Sequence, residues 1–213
     1  MWEVNMWKDL SVHWQTAFLE AWDAFRAGSI PIGAVITDEK GNIIIREHNR
    51  ARENETINRH ISHAEANAIR GLDTTIYNPK TLTLYATMEP CPMCMGTAVM
   101  SNIKRLKYAA RDPYCGAVHL KDTDPYIMGQ RLDYSLVGGE IEFVQLTLQS
   151  YHELGYISRG ASDRVLNCFR SIDEKAVALA EKLYDEKKLD LFSEKGTDFS
   201  EVYDFILSEK DRI

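Results

Sequence analysis

The chain has 213 residues, of which 45% are hydrophobic, 27% charged and 10% aromatic; this suits a folded domain with one sizeable core and excludes a disordered chain. Its net charge of −7 weighs against a general nucleic-acid binder, because phosphate backbones reward clustered Lys and Arg, although a local basic patch stays open. The longest apolar runs, at 30–36 and 43–45, are far shorter than the roughly 18 residues a membrane helix needs, and residues 1–10 carry neither a basic leader nor a cleavage pattern, so neither a membrane span nor a signal peptide is predicted.

In chain order, residues 9–27 read as an amphipathic helix. Trp14, Phe18, Trp22 and Phe25 recur at spacings of four, four and three, which places them on one core-facing stripe. Two strands follow at 33–38 and 43–48, joined by Glu39-Lys40-Gly41-Asn42, a hairpin signal. A polar segment over 49–62 leads into a helix starting near His63, with Ser62 as its expected N-cap. A strand is predicted at 81–86, a helix over 91–100 after Pro90, and another strand at 105–110. The stretch 116–131, with Asp122, Asp124 and Tyr126, reads as a loop near the site. A fifth strand is expected at 140–144 and a helix at 146–154. Strands alternating with helices after a hairpin imply a three-layer α/β/α sandwich around a mixed five-stranded sheet, occupying residues 1–157.

Residues 158–213 read as an acidic helical C-terminal extension. From Gly160 to Ile213 there are nine Lys and Arg against thirteen Asp and Glu. Ser171-Ile172-Asp173-Glu174 matches a capping box, and Ala176, Ala180, Leu183 and Tyr184 form the helical stripe behind it; a second helix is predicted at 198–209. No recognisable chemistry lies in this segment.

The chemistry concentrates elsewhere. Cys91-Pro92-Met93-Cys94 puts two thiols at i and i+3 of a helix start, where both reach one ion and where the helix dipole favours thiolates. A second C-x-x-C is missing, so a zinc ribbon is excluded, while a redox pair stays possible on this motif alone. Cys115 and Cys168 read as ordinary buried or partly buried thiols, and four cysteines so arranged suit a reducing, cytoplasmic setting.

His63-Ala64-Glu65 changes the reading. His63, Cys91 and Cys94 make three ligands, the number a catalytic zinc uses when it keeps one position for water, and Glu65 is the carboxylate that would move that water's proton. Residues i and i+2 point about 200° apart on a regular helix, so His63 and Glu65 can share a site only where the chain enters the helix. H-A-E with P-C-x-x-C beginning 25 positions after Glu65 is the H-x-E…P-C-x-x-C signature of zinc deaminases.

On these motifs, residues 31–154 resemble the cytidine deaminase-like superfamily. HAEANAIR and TLYATMEPCPMCMGTAVMSNIKRLKYAARDP are similar to two of its branches, the bacterial tRNA adenosine deaminases and the guanine deaminases. The resemblance implies Zn²⁺ as cofactor, hydrolytic removal of an exocyclic amine from a nucleobase or nucleoside, a homodimer, and substrate contacts from Asn49 and the Ala64 backbone N–H. Asn49 reads equally as a strand-end turn residue. Three features depart from the tRNA branch: a longer loop between Asn49 and His63, an acidic rather than basic C-terminus, and some 50 residues after Gly160 without a counterpart.

Two substrates therefore stay open: a small purine or pyrimidine, which the acidic balance favours, or adenosine in a tRNA anticodon loop. Arg46, Arg50, Arg52, Arg59 and Arg70 lie near the motifs, but Glu47, Glu53 and Glu55 interrupt them. A non-catalytic zinc-binding scaffold is the third reading, and it leaves Glu65 without a purpose.

Overall fold

The computed structural model describes residues 6–213, so the reading of residues 1–10 as free of a leader lies partly outside the described residues. The described residues hold five strands and ten α-helices. Helix α1 (Val12–Arg26) precedes the hairpin β1 (Gly33–Thr37) and β2 (Ile43–His48). Then come α2 (Ala64–Arg70), β3 (Thr83–Met88), α3 (Pro92–Met100) and β4 (Arg105–Ala110). Short helices α4 (Leu120–Thr123) and α5 (Pro125–Met128) lead to β5 (Asp133–Leu136) and the long α6 (Glu140–Ile157). The last four helices are α7 (Arg164–Arg170), α8 (Glu174–Asp185), α9 (Lys188–Glu194) and α10 (Phe199–Glu209).

The sheet order is β2-β1-β3-β4-β5, with β1 antiparallel to both neighbours and β3, β4 and β5 parallel, so the sheet is mixed. Strand alternation divides the core in two. Ala34, Ile36, Leu84 and Leu106 face α2 and α3, whereas Val35 and Tyr85 face the layer of α1 and α6. The result is the expected three-layer α/β/α sandwich. Helix α1 seats closely on β1: a Cβ at Gly33 would lie 2.0 Å from the Ala17 carbonyl oxygen, so only glycine allows this approach.

The predicted strand at 140–144 is instead the start of α6, and the fifth strand is β5. Every residue from Ile141 to Tyr151 is buried, because α6 lies between the sheet and the C-terminal helices. A helix covered on all sides loses its 3.6-residue stripe, and Glu140-Ile141-Glu142-Phe143 then mimics strand alternation. β5 hides for the opposite reason: it is an edge strand with Tyr134 as its one buried residue. Two caps also differ. His63, not Ser62, is the N-cap of α2, and Asp173, not Ser171, caps α8 by accepting from the Ala176 N–H at 3.0 Å.

The segment after Ile157 packs back onto the sandwich. Leu166 and Phe169 of α7, Val177 and Ala180 of α8, Leu189 of α9 and Phe199 and Tyr203 of α10 share a cluster with Trp14, Phe18 and Trp22 of α1 and Phe143 of α6. Phe199 stacks on Phe18 with ring centroids 5.9 Å apart. Among the described residues no helix is long and apolar enough to cross a membrane.

Candidate metal and active site

Two helix starts meet beyond the C-terminal end of β3. His63 is extended at the N-cap of α2 (φ −78°, ψ 152°), and Cys91 is likewise extended at the N-cap of α3 (φ −69°, ψ 171°), with Pro92 fixing the first helical φ. The extended N-cap removes the angular conflict in His-Ala-Glu: His63 stands outside the helix, while Glu65 lies in its first turn. Met88 ends β3, and Glu89 continues the ladder by donating its N–H to the Ala110 carbonyl at 2.8 Å.

His63, Cys91 and Cys94 each present one ligand atom, and the three atoms lie within 4.8 Å of one another. His63 Nδ1 is 3.5 Å from Cys91 Sγ and 3.6 Å from Cys94 Sγ. Zn–N near 2.0 Å and Zn–S near 2.3 Å at a tetrahedral angle would put N and S about 3.5 Å apart, so the donor set fits zinc. The electrostatics suit a cation as well. Hydrogen bonds from Cys94 and His63 hold the Cys91 thiol down at about 4, against the cost of its burial, and contact with Cys91 raises His63. Cys94 is pushed far up by its neighbour Cys91 and by burial. Without a cation one thiolate forms easily and the second does not; a divalent ion at this point lets both ionise.

Glu65 is 4% exposed, and burial pushes its carboxyl up to about 7, opposed by its own backbone N–H and by His63. A carboxyl near neutrality is suited to give and take a proton. Asn49 is also buried: its Oδ1 accepts from the Ala51 N–H at 2.9 Å, the turn role foreseen for it, while its Nδ2 has no partner. Ala64 is fully buried, and as the first helical residue its N–H has no intrahelical acceptor.

His63, Glu65, Cys91 and Asn49 line a cavity of about 210 Å³. Sequence reasoning missed much of the rest of its wall. Asp112, Tyr114 and Cys115 contribute from the loop after β4, whereas the 116–131 stretch expected there does not. Cys115 is exposed rather than buried, and its Sγ donates to Asp112 Oδ2 at 3.0 Å. Glu89 latches this loop, accepting from the N–H groups of Val118 at 3.1 Å and Asp112 at 3.2 Å, and Gly116 allows it: a Cβ there would sit 2.5 Å from the Glu89 carboxyl carbon. Arg111 is locked to buried Glu142 by two guanidinium contacts of 2.8 and 3.0 Å. Gln149 and Glu153 of α6, Val165 and Phe169 of α7, and Ile30, Ile32 and Met88 complete the lining. No sequence signal sets Gln149 and Glu153 apart, since polar residues recur along α6.

Comparison with known proteins places these features. Residues 8–110 match the model of the cytidine and deoxycytidylate deaminase zinc-binding region. The tRNA-specific adenosine deaminase of Bacillus subtilis (strain 168) is 39% identical over 109 residues, covering 49% of this chain and 64% of that protein. That of Rickettsia felis is 37% identical over 107 residues, covering 49% of this chain and 72% of that one. A solved structure from a study of A-to-I editing by tRNA:A34 deaminases at the wobble position of transfer RNA is 31% identical, with a TM-score of 0.50, and covers 60% of this chain and 96% of that one. The chain thus spans less than two thirds of its B. subtilis relative, and its own helices after β4 lie outside the family match. With the motif, the sheet and the His-Cys-Cys cluster in agreement, the chain belongs to the cytidine and deoxycytidylate deaminase zinc-binding family.

Proposed function

We propose that this protein is a zinc-dependent hydrolytic deaminase, exchanging the exocyclic amine of a nucleobase or nucleoside-type ring for oxygen and releasing ammonia. The observation that carries it is the buried Glu65 carboxyl beside a three-ligand His63-Cys91-Cys94 cluster, with Glu65, His63 and Cys91 opening on one ring-sized cavity. His63, Cys91 and Cys94 hold the metal. Bound zinc lowers the pKa of water towards neutrality and so supplies the nucleophile. Glu65 takes the proton that water gives up, delivers it to the ring nitrogen next to the reacting carbon, and assists proton transfer to the departing amine. Asn49 Nδ2, buried without a partner, donates to a ring or sugar acceptor, and the Ala64 N–H contacts a ring substituent. The homodimer implied by family resemblance belongs to the same reading.

The test is ammonia release across free bases, nucleosides, deoxycytidylate and an unmodified tRNA, using zinc-replete and chelator-treated protein. Turnover that disappears with the metal and returns on adding zinc is the expected result; a zinc-replete protein inert on the whole panel overturns the proposal. A second reading, adenosine within a tRNA anticodon loop, is favoured by the names of the relatives, and the tRNA arm of the panel decides it.

A further inference from the structure

The cavity has two halves. His63, Glu65 and Cys91 come from the layer of α2 and α3, and Gln149, Glu153, Val165 and Phe169 come from α6 and α7. Helix α7 belongs to the C-terminal segment after Gly160, outside the family match. It is held firmly in place: Leu166 and Phe169 are buried in the shared core, and Arg170 pairs with Glu181 of α8 at 2.6 Å. Its first residue, Arg164, lies over the ring of Tyr114 at 5.5 Å, tying α7 to the loop that forms another side of the cavity. Outside the cavity, Arg52 donates to the Tyr156 hydroxyl at 3.0 Å, joining the loop after β2 to the end of α6.

We propose that α7 is the outer wall of the pocket and restricts it to a free, uncharged base or nucleoside, with Gln149 Oε1 accepting a hydrogen bond from a ring N–H or amino group. This rests on the deaminase reading above. Three observations carry it. At about 210 Å³ the cavity is smaller than the roughly 300–1,000 Å³ of sites for drug-sized ligands, so it fits one ring system and little more. Glu65, Glu89, Asp112 and Glu153 line it without a single Lys or Arg, which repels phosphate; of the nearby cations, Arg46, Arg50 and Arg111 are committed to Glu20, to Glu47 and Glu53, and to Glu142, and Arg52, Arg59 and Arg70 lie outside the lining. A nucleotide read within RNA stays joined to phosphates on both sides and needs cations along its path. Finally, Gln149 is 5% exposed, and its Nε2 donates to Glu153 Oε1 at 3.1 Å, which fixes its orientation and leaves Oε1 buried without a partner. Asn49 offers a donor and Gln149 an acceptor, while Val165 and Phe169 give the apolar surface a flat ring packs against.

The test uses the full-length, zinc-replete protein, since α7 shares the core and cannot be removed cleanly. Steady-state kinetics compare each base and nucleoside with its 5′-monophosphate and with an anticodon stem-loop RNA. The expected result is turnover of a free base or nucleoside, with kcat/KM about 100-fold lower for its monophosphate and no product from RNA. Gln149→Met should raise KM about 10-fold with kcat and zinc content little changed, the signature of a lost binding contact. Val165→Trp, at a half-buried position, should fill the cavity and stop turnover with zinc content and melting temperature retained. RNA or monophosphate used as well as the free compound overturns the wall, as does wild-type turnover in a folded Val165→Trp. An RNA-only activity would do so while leaving the deaminase reading intact; inertness on all substrates removes both.

Discussion

Glu65 and His63 illustrate how a backbone detail sets chemistry. Two residues apart, they serve one site because His63 is the extended N-cap and Glu65 is inside the first turn. Burial then holds the Glu65 carboxyl at about 7, where either protonation state is within easy reach at neutral pH. Glutamine keeps the shape and removes the proton-transfer capacity, and it relieves a buried acid that prefers to be neutral. Glu65→Gln should therefore bind one equivalent of zinc, melt no lower than wild type, and lose about 10²–10⁴ in kcat. Metal analysis, calorimetry and ammonia release check the three parts, and turnover within tenfold of wild type would remove Glu65 from its assigned role.

At the scale of elements, the loop between β2 and α2 hangs on one part-buried network. His48 Nδ1 bonds Glu20 of α1 at 2.9 Å and Nε2 bonds Glu53 of the loop at 2.8 Å. Arg46 also reaches Glu20 at 3.2 Å, and Arg50 bridges Glu47 and Glu53, both at 2.9 Å. Asn67 of α2 donates to the His48 carbonyl at 3.1 Å. Burial opposes charge on His48 and Arg50 adds to that, but the two carboxylates outweigh them and hold His48 above the ordinary histidine range. A raised folded-state pKa stabilises below the unfolded value, about 6.5, and that contribution is lost as pH climbs through the folded value. The melting-temperature gap between wild type and His48→Gln should accordingly be widest near pH 6 and shrink towards pH 9. A gap that does not change with pH would mean that the imidazolium is not what fastens the loop. Asn49 follows His48 directly, so KM should rise over the same alkaline range.

Across the whole molecule, the acidic C-terminal helices complete a core that the α/β sandwich leaves open. Trp7, Phe18, Trp22 and Tyr203 surround Phe199, with ring centroids 5.6 to 6.3 Å from it. Phe199 is 1% exposed, and truncation of such a residue costs about 3–5 kcal/mol. Because its partners lie before α1, on α1 and on α10 together, Phe199→Ala should lower one cooperative transition for the entire chain, followed by circular dichroism and by zinc release. Two separated transitions, with the zinc site surviving the first, would show the extension to be an independent unit.

How much of this was legible in the sequence depends on how local each cause is. The metal cluster was, since H-A-E and P-C-x-x-C each start a helix, and spacing within a turn decides which atoms can meet. The hairpin and β4 were also legible, the hairpin from its turn residues and strand spacing and β4 from the alternation that opens it. Helix α6 was not, because burial on every side erases the period that marks a surface helix, and β5 was hidden by having one buried side chain. The far wall of the cavity lay beyond reach for a different reason. Gln149, Val165 and Phe169 join His63 and Cys91 only after the chain has folded over both faces of the sheet, about 60 to 100 residues later. The sequence by itself determined the His-Cys-Cys donor set, the carboxylate beside it and the class of fold; the tertiary structure decided the size and charge of the space in front of them, because a cavity is a property of what packs around it.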